Sequence, residues 1–128
     1  MKYDQFMGMV QSKAKLASTE EAIKVTKATL QTLGERLYGG EPKDLASQLP
    51  KEIGAFIQGD KTEKFGLDEF FRRVSEREGS ELPDAIYHSR VVIEVVKEAV
   101  SKGEIDDIKQ QLPPEYDRLF EAGSEGRL

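Results

Sequence analysis

One eleven-residue segment occurs twice in this chain. The first copy, GEPKDLASQLP, spans residues 40–50, and the second, GEIDDIKQQLP, spans residues 103–113. Six of the eleven positions are identical, and the copies are offset by 63 residues. A repeat of this length constrains the fold, because homologous copies of a segment are expected to share one secondary structure.

The correspondence extends well beyond this segment. At the same offset the following pairs match in type: Ala22 and Ala85, Ile23 and Ile86, Leu30 and Ile93, Glu35 and Glu98, Phe56 and Leu119. We interpret the chain as two copies of one unit, residues 1–59 and 66–123, joined by a polar linker at 60–65 and followed by a tail at 124–128. Two copies are too few for a solenoid, so we expect a pseudo-symmetric pair that shares one core in a single compact domain.

Apolar residues recur at helical spacing in both copies. The first helix of each copy is marked by Tyr3, Phe6, Met7 and Val10, and by Leu67, Phe70, Phe71 and Val74. Ser18 and Glu21 have the spacing of a capping box at the start of a second, longer helix. The proline that ends each repeated segment separates two short helices. The sequence therefore predicts an all-α fold of about eight helices in two tandem pseudo-symmetric modules.

Residues 91–96, VVIEVV, are an exception to this pattern. Taken alone, a run this rich in β-branched residues is typical of a buried strand. Its counterpart in the first copy, residues 28–33, lies inside a long helical pattern with a capped start. Because the copies should share one secondary structure, we predict a helix here.

Composition excludes several classes of protein. The chain has no cysteine and one histidine, which excludes thiolate metal sites, disulfides and a multi-histidine centre within one chain. A net charge of −5 argues against binding to nucleic acid. No apolar run approaches the roughly 18 residues of a membrane span, and the N-terminus lacks the features of a signal peptide. We expect a cytoplasmic protein without a cofactor and without a membrane association.

The repeated segment supplies the candidate ligand site. Asp44 and Gln48 lie four residues apart, as do Asp107 and Gln111, so each pair shares one face of a short helix. Carboxylates related by pseudo-symmetry could meet between the repeats and bind a divalent cation or act as a general acid and base. The structural interpretation is favoured: acidic residues sit at helix N-termini, and each glutamine binds loose backbone groups near the proline corner.

The long helix of the second copy carries a second apolar stripe, which consists of Ala85, His88, Val92, Val95 and Ala99. A helix that is apolar on two faces is either central in the fold or covered by a partner. The central position is favoured, and an interface with a second copy or another protein is the alternative. His88 corresponds to Val25 of the first copy, so we interpret it as a packing histidine with one hydrogen bond and not as a catalytic base.

The segment from Leu33 to Pro50, LGERLYGGEPKDLASQLP, resembles the hallmark stretch of an uncharacterised bacterial family, domain of unknown function 2267. The similarity extends over roughly residues 3–123. The resemblance implies a small, all-helical, intracellular protein, and it implies no activity, cofactor or site residue. The second copy departs from the hallmark, because VKEAV replaces LGERL at residues 96–100. A ligand recognised through Arg36 would therefore bind only to the first copy.

These observations predict a non-enzymatic interaction or accessory protein. The alternative is a module that binds a small ligand or a divalent cation through acidic groups between the repeats, such as Asp44 and Asp107. An enzyme is disfavoured, because the sequence contains no recognisable nucleophile–base pair or nucleotide-binding loop.

Overall fold

The computed structural model describes residues 1–121, and within that part of the chain it contains helices and no strands. The α-helices are α1 (Tyr3–Lys13), α2 (Thr19–Arg36), α3 (Glu41–Ser47), α4 (Lys51–Gly54), α5 (Leu67–Glu78), α6 (Leu82–Ala99), α7 (Lys102–Gln110) and α8 (Asp117–Phe120), and a 3₁₀ turn at Pro114–Tyr116 precedes α8. The prediction of an all-α fold is confirmed. The end of the predicted second module, 122–123, and the tail at 124–128 lie outside the described residues.

Local signals set the ends of several helices. The Ser18 hydroxyl accepts a hydrogen bond from the Glu21 amide at 3.2 Å, as the capping-box spacing predicts. Ser101 does the same for Glu104 at 3.1 Å and so begins α7. Helix α5 ends at Glu78 and is followed by Gly79, whose φ of 71° is accessible to glycine without strain. The valine-rich run at 91–96 lies inside α6, so its prediction as helix is confirmed.

The order of helices along the chain recurs. Helices α1 and α5 have 11 and 12 residues, α2 and α6 both have 18, and α3 and α7 have 7 and 9. This order agrees with two copies of one unit, and the two-fold relation of the modules in space stays a prediction.

The predicted linker, residues 60–65, is held by hydrogen bonds at several points. The Glu63 amide donates to the Glu35 carbonyl at 2.9 Å. The Phe65 carbonyl accepts from Arg36 Nε at 2.8 Å and from the Tyr116 hydroxyl at 2.8 Å. One residue from each predicted module therefore fixes the end of the segment that joins them.

The core lies around α2 and α6, which pack on each other and on α1 and α5. The second apolar stripe of α6 belongs to this core: Ala85, Val92 and Val95 have no exposed surface. His88 and Ala99 are partly buried. This burial agrees with the central position of α6, and a partner surface that includes the partly buried His88 and Ala99 stays a prediction.

Candidate cation site between α3 and α7

The two copies of the repeated segment face each other. Helix α3 belongs to the first copy and α7 to the second, and the two helices are in contact. Gln48 Oε1 accepts a hydrogen bond from the Ser101 amide at 2.8 Å. Gln111 Oε1 accepts from the Tyr38 amide at 3.0 Å, and its Nε2 donates to the Tyr38 carbonyl at 3.1 Å.

These contacts are reciprocal, because Tyr38 and Ser101 are themselves equivalent at the offset of 63 residues. Each glutamine holds the backbone just before the short helix of the other copy. The expectation that Gln48 and Gln111 bind loose backbone groups is therefore correct in kind. It is wrong in place, since the groups belong to the opposite copy and not to the glutamine's own proline corner.

Three carboxylates meet between the clasped segments. Oxygen atoms of Glu41, Glu104 and Asp107 all lie within 4.8 Å of one another, and we name this group the acidic cluster. Glu104 is only 6% exposed, Glu41 is partly buried, and Asp107 is exposed. Glu41 and Glu104 are equivalent positions of the repeat, so the centre of the cluster is formed by one residue type meeting its own counterpart.

Electrostatics at the cluster are unfavourable to full ionisation. Burial, followed by the hydrogen bond with Glu41 and the charges of Glu41, Asp44 and Asp107, raises the pKa of Glu104 from 4.5 to about 8. Among the described residues, no N–H or O–H group donates to Glu41 Oε1 or Glu104 Oε2, so the hydrogen bond between the two carboxyls exists only while one of them is protonated. Buried polar atoms are rarely left in this state, because an unmade hydrogen bond costs its full desolvation energy. A shared proton or a cation between the oxygens would satisfy the pair.

The donor set determines what the cluster could hold. Carboxylate oxygens are ligands for hard cations such as Mg²⁺, Ca²⁺ and Mn²⁺. Exposed Asp107 places one edge of the cluster at the solvent, where a bound cation would keep water ligands. General acid–base catalysis fits this geometry less well, since Glu104, the carboxyl with the raised pKa, is almost entirely buried and out of reach of a substrate.

Of the four residues proposed from the sequence, Asp107 lies in the acidic cluster and Asp44 is exposed and acts on Glu104 through its charge. Gln48 and Gln111 hold the two copies together beside it. Sequence reasoning missed Glu41 and Glu104, which it treated as charges at helix N-termini. The available signal was their identity at the second position of both copies.

His88 and Arg36, which the sequence analysis also singled out, both bind groups of the protein itself. His88 Nδ1 lies 2.8 Å from Glu78 Oε1, which confirms the interpretation of a partly buried histidine with a hydrogen bond. Arg36 is 6% exposed, and its guanidinium lies 5.5 Å from the centre of the Tyr116 ring in addition to binding the Phe65 carbonyl. Arg36 therefore holds the end of the linker, and little of its side chain reaches the surface.

Most of the chain matches one known protein family. The family described as "Uncharacterized conserved protein (DUF2267)" matches residues 3–119, which include the whole acidic cluster and both glutamines. The chain belongs to this family. Its resemblance to DUF2267, seen first in the segment from Leu33 to Pro50, is thus confirmed over nearly all the described residues. No curated protein matches the chain. In the described part of this DUF2267 chain, no helix has the length and apolar character needed to cross a bilayer.

Proposed function

We propose that this DUF2267 chain is a non-enzymatic accessory protein that binds a divalent cation at the acidic cluster. The observation that carries the proposal is the environment of Glu104. This carboxylate is buried, and no N–H or O–H group donates to its Oε2. Oxygen atoms of Glu104 and of two further carboxylates lie within 4.8 Å of one another. The surface that the sequence offered for a protein interaction was the second apolar stripe of α6, and three of its five residues, Ala85, Val92 and Val95, are fully buried inside the chain. The geometry therefore supports the cation-binding alternative better.

A bound cation would relieve the electrostatic repulsion between the carboxylates of the cluster. Two like charges held within 4.8 Å repel each other by about 3 kcal/mol at an effective dielectric constant near 20. A divalent ion replaces this repulsion by attraction and supplies a partner for each unpartnered oxygen. A shared proton neutralises only one carboxylate, and above pH 8 it is lost from the cluster because the pKa of Glu104 is about 8.

The ligands come from both copies of the repeat. Glu41 begins α3, whereas Glu104 and Asp107 lie on α7. A bound cation would therefore join two segments that are already clasped by Gln48 and Gln111. Binding only to the folded chain, it would stabilise the fold by RT ln(1 + [L]/Kd), or about 2.7 kcal/mol at 100 times Kd.

The test is a thermal and calorimetric titration of chelator-treated protein with CaCl₂, MgCl₂ and MnCl₂. We expect saturable binding and a rise in melting temperature that follows the cation concentration. Glu104→Gln and Asp107→Asn should abolish both effects. Asp106→Asn is the matched control, since Asp106 is the neighbouring exposed carboxylate on α7 and pairs instead with Lys102 at 3.1 Å.

The decisive quantity is the change in melting temperature that the cation causes in each variant, because Glu104→Gln also changes the stability of the cation-free protein. A melting temperature that none of the three cations changes would refute the proposal. So would an increase that persists undiminished in both Glu104→Gln and Asp107→Asn.

A further inference from the structure

A second concave site lies on another part of the molecule, where α2, the segment after α4 and α5 come together. Its volume is about 340 Å³, which is in the range of small-molecule pockets. Gln31 and Glu35 of α2, Phe56 and Gln58 of the following segment, and Arg77 of α5 contribute to its walls. None of the acidic cluster residues lines it, so this site is independent of the proposed cation site.

The charges around this pocket cancel. Lys61 and Arg77 supply two positive charges, and Glu35 and Asp60 supply two negative ones. Arg77 is held in place, because its Nη1 donates to Thr32 Oγ1 at 2.8 Å and its Nη2 donates to Glu35 Oε2 at 2.6 Å. A pocket whose charges balance, with Arg77 and Glu35 joined in an ion pair, offers no net attraction to an ion, and it favours a ligand without net charge.

Two amide side chains in the pocket are uncommitted. Neither Gln31 nor Gln58 makes a side-chain hydrogen bond within residues 1–121. Each amide presents a donor and an acceptor side by side, the arrangement that pairs with the edge of a nucleobase. The Phe56 side chain lies in the same wall and is partly exposed, so it offers an aromatic surface against which a planar ring can stack.

We propose that this pocket binds an uncharged, planar heterocycle with adjacent hydrogen-bond donors and acceptors, which is the chemistry of a nucleobase or nucleoside. The volume accommodates one such molecule, the balanced charges give no preference for a phosphorylated form, and the amides and the aromatic ring supply the contacts that hold the base. This role agrees with the acidic net charge of the chain, since a nucleoside without phosphate does not require a basic surface.

The experiment uses the full chain labelled with ¹⁵N and titrated with adenosine, guanosine, cytidine and uridine, to about 5 mM so that a Kd near 1 mM is measurable. Ribose and inorganic phosphate serve as the reference compounds. We expect at least one nucleoside to cause saturable amide shifts at Gln31, Phe56, Gln58 and Arg77. Gln58→Ala should raise its Kd about fivefold, as expected for one lost hydrogen bond.

Gln5→Ala is the matched control, because Gln5 is an exposed glutamine on α1, which does not line the pocket. Phe56→Leu keeps an apolar side chain at a position that packs against the core, so it tests stacking in a folded protein. Shifts that stay linear in concentration, or that map away from the pocket, would overturn the proposal. A Kd unchanged in Gln58→Ala, Gln31→Ala and Phe56→Leu would do the same.

Discussion

Glu104 is the residue whose replacement tests the electrostatics of the cluster most directly. Glu104→Gln keeps the shape of the side chain and its capacity to accept a hydrogen bond, and it adds an N–H donor facing Glu41. It removes the charge that burial and the neighbouring carboxylates make unfavourable. We therefore expect this substitution at a buried position to stabilise the cation-free protein, whereas most buried substitutions are destabilising.

The sign of the effect depends on pH. The pKa of Glu104 is raised in the folded protein to about 8 from its usual value of 4.5, so between these values the folded chain holds a proton that the unfolded chain releases. The stability of the wild type therefore falls as pH rises from 4.5 through 8. Glu104→Gln does not lose stability in this way, because a glutamine does not titrate. Its unfolding free energy should equal that of the wild type at pH 5 and exceed it by about 1–3 kcal/mol at pH 9, the range for a buried polar group left without a partner.

Urea unfolding of both proteins at pH 5, 7 and 9 in excess chelator measures this difference. Glu98→Gln is the control, since Glu98 is an exposed carboxylate on α6 that lies outside the acidic cluster. The difference in unfolding free energy between the Glu98→Gln control and the wild type should be the same at all three pH values. A Glu104→Gln variant that is less stable than the wild type at pH 9, or equally stable at all three pH values, would refute the account of an uncompensated carboxylate.

Two further predictions concern the clasp and the packing of the short helices. Gln111→Ala removes both hydrogen bonds to the backbone of Tyr38 and should cost about 1–2 kcal/mol in urea unfolding; an unchanged midpoint would contradict a structural role for the clasp. Gly54→Ala would place a Cβ 2.7 Å from the Ala46 carbonyl oxygen and should destabilise the fold by about 1–3 kcal/mol. Gly8→Ala meets no atom within 4 Å on α1 and should instead stabilise by about 0.5–1 kcal/mol, so equal effects of the two would be inconsistent with the packing described.

Much of the secondary structure was accessible from the sequence, because its causes are local. The hydroxyl of Ser18, the apolar spacing of α1 and α5, and the proline corners each act within a few residues. The run at 91–96 shows where local information fails, since its β-branched residues favour a strand. Comparison with the other copy corrected this, and the buried position of α6 explains why so many valines are used there.

The site was harder to predict, because it depends on how the two copies are placed against each other. A glutamate in the first turn of a short helix is favoured by the helix dipole, so Glu41 and Glu104 gave no local reason to expect a cluster. Gln48 and Gln111 likewise act across the boundary between the copies. The periodicity of a sequence predicts which face of a helix is buried, but it does not specify which other helix covers that face.

The internal repeat supplies a further argument for a cation at the cluster. Glu41 and Glu104 occupy equivalent positions of the two copies and lie close to each other, so an acidic residue at this position meets a second acid. The copies differ at five of the eleven positions in the repeated segment, yet both keep the glutamate, Glu41 in one and Glu104 in the other. A glutamine in either copy would remove the repulsion with almost no change in volume. The presence of two glutamates follows naturally if both carboxylates bind one cation, and a purely structural corner does not require it.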